Sequence, residues 1–95
     1  MTKSEFIASL EEISPPENLP ELLYALWLEA KGNWDKAHRI AQNVSSPDGS
    51  HVHAYLHRKE GDEGNAMYWY RNAGVSFPEV SLDKEWNLLV DRLLE

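Results

Sequence analysis

His53 and His57 stand four residues apart, and Glu60 follows three residues later. On a helix this spacing puts all three on one face, within reach of a single metal ion. Two imidazoles and one carboxylate with open positions suit zinc or non-haem iron. The same imidazoles have a structural use. Histidines packed between helices hydrogen-bond to a backbone carbonyl, a carboxylate or a tyrosine hydroxyl. No dedicated metal motif surrounds the pair. The sequence therefore favours the structural use and implies no cofactor, and a metal centre at His53, His57 and Glu60 stands as the alternative.

The neighbouring charges, Arg58, Lys59, Glu60 and Asp62, are either a binding cluster or a solvated face. Exposed ion pairs of this kind are worth about 0–1 kcal/mol each, and Arg58 with Asp62 has helical pair spacing. An intermediate expectation is a buried polar network of His53, His57, Tyr68 and Arg71 that fixes how helices dock. Tyr68-Trp69-Tyr70 is a run of three aromatics that cannot all face one way on a helix. Tyr70 is expected in the core, with Tyr68 or Trp69 at a docking surface of the kind that makes binding hot spots. No Gly-x-Ser-x-Gly elbow and no phosphate-cradling glycine loop occurs. No catalytic residue is assigned, and the chain leans away from being an enzyme.

These residues lie on His51 to Ala73, which reads as helix, turn, helix. Ser50 is a candidate N-cap. Gly61 is the stop, because glycine takes the left-handed conformation without a Cβ clash. Asp62 caps the next helix, whose Ala66, Trp69, Tyr70 and Ala73 recur at helical spacing. An earlier segment repeats the plan at an offset of 29 residues, matching Ala25 to Ala54, Gly32 to Gly61, Asn33 to Asp62, Ala37 to Ala66 and Asn43 to Asn72.

The order Ala54, Gly61, Ala66, Tyr70, Ala73, Pro78 resembles a tetratricopeptide repeat, and Ala25, Gly32, Ala37, Val44 resembles a second copy. The resemblance spans about Leu19 to Pro78 and implies stacked helical hairpins that bind a protein or peptide. The string HAYLHRKEGD followed by NAMYWYRNAG also resembles a family of small bacterial proteins with no assigned activity.

Ninety-five residues make one domain, which buries roughly 60–65% of its unfolded surface. Apolar residues at 42% place it among globular chains. With no cysteine, disulfides, thiolate zinc sites and thiol nucleophiles are excluded, which fits a reducing compartment. A net charge of −7 argues against duplex nucleic acid. No signal peptide or membrane-length apolar run is present, so the expectation is a cytoplasmic protein.

Along the chain, Thr2 or Ser4 is expected to cap a helix running to about Ile13, with Phe6, Ile7, Leu10 and Ile13 inward. Ser14-Pro15-Pro16 ends it. Asn18 is expected to cap the first hairpin, about 19–44, whose leading helix is apolar on several faces and therefore central. Ser45 to Ser50 is expected as a loop with Pro-Asp-Gly as its turn. The second hairpin spans about 50–74, and a final helix over about 81–94 covers the last repeat.

The fold class is all-α, with about six helices. The leading functional expectation is a partner-binding module with a groove near His51, Tyr55, Arg58, Lys59, Tyr68 and Trp69, preferring an acidic or C-terminal carboxylate ligand. Because stacks generally need about three repeats, a homodimer through the last helix is a further expectation.

Overall fold

The turns after Gly32 and Gly61 are built alike in the computed structural model, which describes residues 1–95. Both glycines sit at left-handed φ, +91° and +90°. In each turn the next residue donates its N–H back to the carbonyl five residues earlier: Asn33 to Leu28 at 2.8 Å and Asp62 to His57 at 2.9 Å. That closes the first helix of the pair. The side chains of Asn33 and Asp62 then accept from the backbone N–H of Lys36 and Asn65, opening the second helix. An offset of 29 residues thus carries one stop-and-start device twice.

Six α-helices result: α1 Lys3–Ala8, α2 Glu21–Ala30, α3 Trp34–Gln42, α4 Pro47–Glu60, α5 Glu63–Ala73 and α6 Leu82–Leu93. There are no strands, and no helix is long and apolar enough to cross a membrane. α2 packs on α3, α3 on α4, and α4 on α5. Ala25, Ala37, Ala54 and Ala66 are fully buried at these crossings, where a small side chain lets backbones approach. α2 is the central helix, burying Leu22, Leu23, Ala25, Leu26, Trp27 and Leu28. Each such large side chain contributes about 1.5–3 kcal/mol of transfer free energy.

Several boundaries differ from the sequence-based expectation. α1 stops at Ala8 and tightens into a 3-10 turn over Ser9–Glu11. Phe6 and Leu10 turn inward, while Ile7 is exposed and Ile13 is 96% exposed. Asn18 is no cap. It adopts a left-handed φ of 59°, which asparagine tolerates, and Pro20 precedes the first turn of α2.

The Pro-Asp-Gly segment is helix, not turn. Ser46 caps α4 by accepting from Gly49 N–H at 3.0 Å, and Pro47 takes the first helical position, where its missing N–H costs nothing. Gly49 is required there by closeness rather than by φ. A Cβ on it would lie 2.0 Å from the Val44 carbonyl oxygen. Ser50, the expected cap, is therefore inside the helix, about one turn past the observed start.

α6 also lands elsewhere. It packs on α2 and α4, not over the outer face of α5. Trp86 stacks on Phe6 at 6.0 Å and donates its indole N–H to the Leu26 carbonyl at 3.2 Å. The groove formed by the first helix of each hairpin is filled by the chain's own last helix.

Candidate metal centre

α4 has a periodicity that sends His53 and His57 toward α3, and α3 returns His38 toward them. One ring nitrogen from each of these three histidines lies within 4.8 Å of the others. His38 Nε2 and His53 Nε2 are 2.9 Å apart, so in the metal-free protein one donates and the other accepts. His57 uses Nδ1 against Glu60 Oε2 at 2.6 Å. A carboxylate on Nδ1 fixes the tautomer and leaves Nε2 as the basic nitrogen, the arrangement that orients metal-binding histidines.

Two tryptophans wall the cluster. Trp34, one turn before His38, stacks on it at 4.9 Å and 8°, and its indole N–H is held by the Leu56 carbonyl at 2.8 Å. Trp69 of α5 stacks on His53 at 4.1 Å. Three helices thus hold the imidazoles in place. His53 is 5% exposed and His57 is 8% exposed, while His38 is half-buried. Burial, and then the neighbouring charges of His38 and His57, pull the pKa of His53 down to about 4. Burial and the proximity of His57 lower that of His38 as well. Neutral imidazoles with available lone pairs are the form a metal ion takes.

One pair of the three nitrogens stands near coordination distance, and the full set lies within 4.8 Å. Two imidazoles on a tetrahedral zinc, at Zn–N of about 2.0–2.1 Å, stand roughly 3.3 Å apart. The His38–His53 pair has only to open by a few tenths of an ångström.

The structure places the sequence-derived candidates unequally. His53 and His57 join the cluster directly. Glu60 holds His57 and acts through it. Trp69 is a wall of the site. Tyr55 is buried, with its hydroxyl 3.4 Å from Glu29 Oε2, and offers no surface. Lys59 lies beside Glu29 Oε1 at 2.5 Å.

Arg58 does not pair with Asp62. It reaches across to Glu85 of α6 at 2.8 Å, and to the Val80 carbonyl. His51 faces the same carboxylate at 3.4 Å. Tyr70 also donates to Glu85, at 2.6 Å to one oxygen and 2.8 Å to the other. A buried polar network thus exists, but its members are His51, Arg58, Tyr70 and Glu85. Tyr68, 60% exposed, and the exposed Arg71 lie outside it.

Sequence reasoning missed His38, Trp34 and Glu85. A usable signal was the four-residue spacing of Trp34 and His38, which repeats on α3 the pattern of His53 and His57 on α4. Compared with known proteins, the chain matches no family model, no curated protein and no solved structure.

Proposed function

We propose that this is a small helical protein that binds a divalent transition metal through His38, His53 and His57, with Glu60 orienting His57. The observation that carries this reading is the convergence of three imidazoles from two helices to within 4.8 Å. Three nitrogen ligands without thiolate suit zinc, copper or nickel, and they leave a coordination position open. A cytoplasmic location fits the lack of cysteine.

The test is calorimetric titration of zinc and copper into tag-free protein stripped with chelator, beside His38→Asn. The expected result is one ion per chain, with binding lost in the variant. Binding that is absent, or unchanged by His38→Asn, rejects the reading.

The tetratricopeptide resemblance supports a second reading, a protein-docking module. The observation favouring it is the outer face of α5, where Met67 and Tyr68 are exposed large side chains. Exposed aromatics of this kind serve as binding anchors. Tyr68 packs edge-on against Trp69 at 5.0 Å, so this surface adjoins a wall of the candidate metal centre.

A further inference from the structure

Between the end of α3, the start of α4 and α5 opens a cleft of about 390 Å³. Its polar lining is only partly spent inside the protein. Ser50, 7% exposed, accepts from the Asn72 amide at 2.8 Å and gives its own proton to no protein acceptor. The amide oxygen of Asn72 and the whole amide of Gln42 have no protein partner. His53 spends Nε2 on His38, while its Nδ1 pairs with no protein group and is not sealed from solvent. Trp69 is the one tryptophan whose indole N–H meets no protein acceptor. Those of Trp27, Trp34 and Trp86 are held by Ser9, Leu56 and Leu26. Polar groups in folded proteins normally find partners, so unspent donors and acceptors gathered round one cleft are capacity left for a ligand.

The kind of ligand follows from what the cleft contains. No aspartate, glutamate, lysine or arginine lines it, so an ionic ligand meets no counter-charge. A purely apolar ligand would cover hydroxyls and amides without pairing them, which costs free energy. What fits is a neutral molecule whose groups both donate and accept, as serine hydroxyls and side-chain amides do. Trp69 adds an aromatic wall for C–H contact. The volume lies at the low end for ligand pockets, about 300–1,000 Å³, and suits one ring rather than a chain of them.

We infer that this cleft binds a free neutral monosaccharide. Ring hydroxyls accept from Ser50 and donate to the Asn72 amide oxygen, and the Gln42 amide holds a further hydroxyl. The C–H side of the ring lies against Trp69. No ion is needed for this binding, which makes it separate from the metal reading.

Isotope-labelled full-length protein in chelator is titrated with glucose, galactose and N-acetylglucosamine while its amide and indole N–H chemical shifts are followed. The expected result is a saturable shift with at least one of the three, centred on residues 42–53 and 69–72. Gln42→Ala, at an exposed position with no internal hydrogen bond, weakens that binding by about fivefold and leaves the melting temperature in place. Asn72→Ala weakens it at least as much. Glucuronate, a sugar ring with an added carboxylate, binds no more tightly than glucose. Shifts absent with all three sugars overturn the site. So does binding that neither alanine variant weakens, and so does a tenfold preference for glucuronate, which would mean that a cation reads the ligand. Each of these outcomes leaves the metal reading standing, since no ion is present.

Discussion

Replacing Arg58 by leucine separates two roles for that residue, surface ligand contact and internal anchor. In the folded chain Arg58 Nη1 meets Glu85 Oε1 at 2.8 Å, and Glu85 is 3% exposed. Removing one partner of a buried ion pair costs about 3–5 kcal/mol, because the remaining charge is left uncompensated. Tyr70 and His51 still face the carboxylate, so Arg58→Leu belongs near the lower end, about 3 kcal/mol. A chain of this length holds a total of about 5–14 kcal/mol, so the loss is a large fraction.

The pH profile sharpens the test. Burial pushes the Glu85 pKa up, but hydrogen bonds from His51, Tyr70 and Arg58 outweigh it and leave the group below the usual carboxylate value. The stabilisation is therefore present at neutral pH and is lost as pH falls from the unfolded-state value through the depressed folded one. Without Arg58 the folded value rises toward the unfolded one, so the acid-dependent loss that Glu85 contributes becomes smaller. Urea unfolding followed by tryptophan fluorescence at neutral and acid pH measures both effects, and Trp86 adjoins Glu85 in the chain. A loss under about 1 kcal/mol at neutral pH, with an acid limb superimposed on that of the parent, refutes the anchoring role.

The metal-free protein should lose stability on acidification through the histidine cluster. His53 is lowered to about 4, so below about 6.5 the unfolded chain binds more protons than the folded one. Stability then falls with pH down to that value, by at most about 1.4 kcal/mol per unit. Urea midpoints in chelator at neutral and mildly acid pH check this, and His53→Asn should flatten the slope. Metal should act in the opposite sense. An ion held only by the folded state at a thousandfold excess over its dissociation constant adds about 4 kcal/mol, or more than ten degrees of melting temperature in a domain this small. A thermal scan with zinc that shows stoichiometric binding and no shift would mean that the unfolded chain binds equally well.

Helix type and turn chemistry were readable because they are local. Gly32 with Asn33, and Gly61 with Asp62, carry their stop-and-start instruction within a few residues, and the structure executes it. Starts were misread where a side chain had two possible local roles. Pro47-Asp48-Gly49 satisfies a turn and the first turn of a helix equally well. The choice falls to Ser46 as cap and to the close approach of Val44, which periodicity does not encode. Two of the three imidazoles of the candidate centre were readable from the spacing of His53 and His57. His38 was not, because its partnership depends on how α3 crosses α4. The groove near Arg58 disappeared for the same reason: nothing in the local pattern of α6 says that Glu85 is buried against α4.

α4 is where these threads meet, since it carries a polar cluster on each of two faces. His51 and Arg58 point to α6, while His53 and His57 point to α3. The 29-residue echo explains the hairpins, yet the histidine cluster does not obey it: His38 aligns with Met67, and Trp69 with Ile40. The centre therefore belongs to the joint between the hairpins rather than to either one. A stack of two repeats is short of the number that usually sustains itself. This chain has two additions that such a stack lacks, a last helix pinned through Glu85 and a set of imidazoles across the α3–α4 crossing. The first completes the fold without an ion. The second sets imidazoles from α3 and α4 side by side where the two hairpins meet.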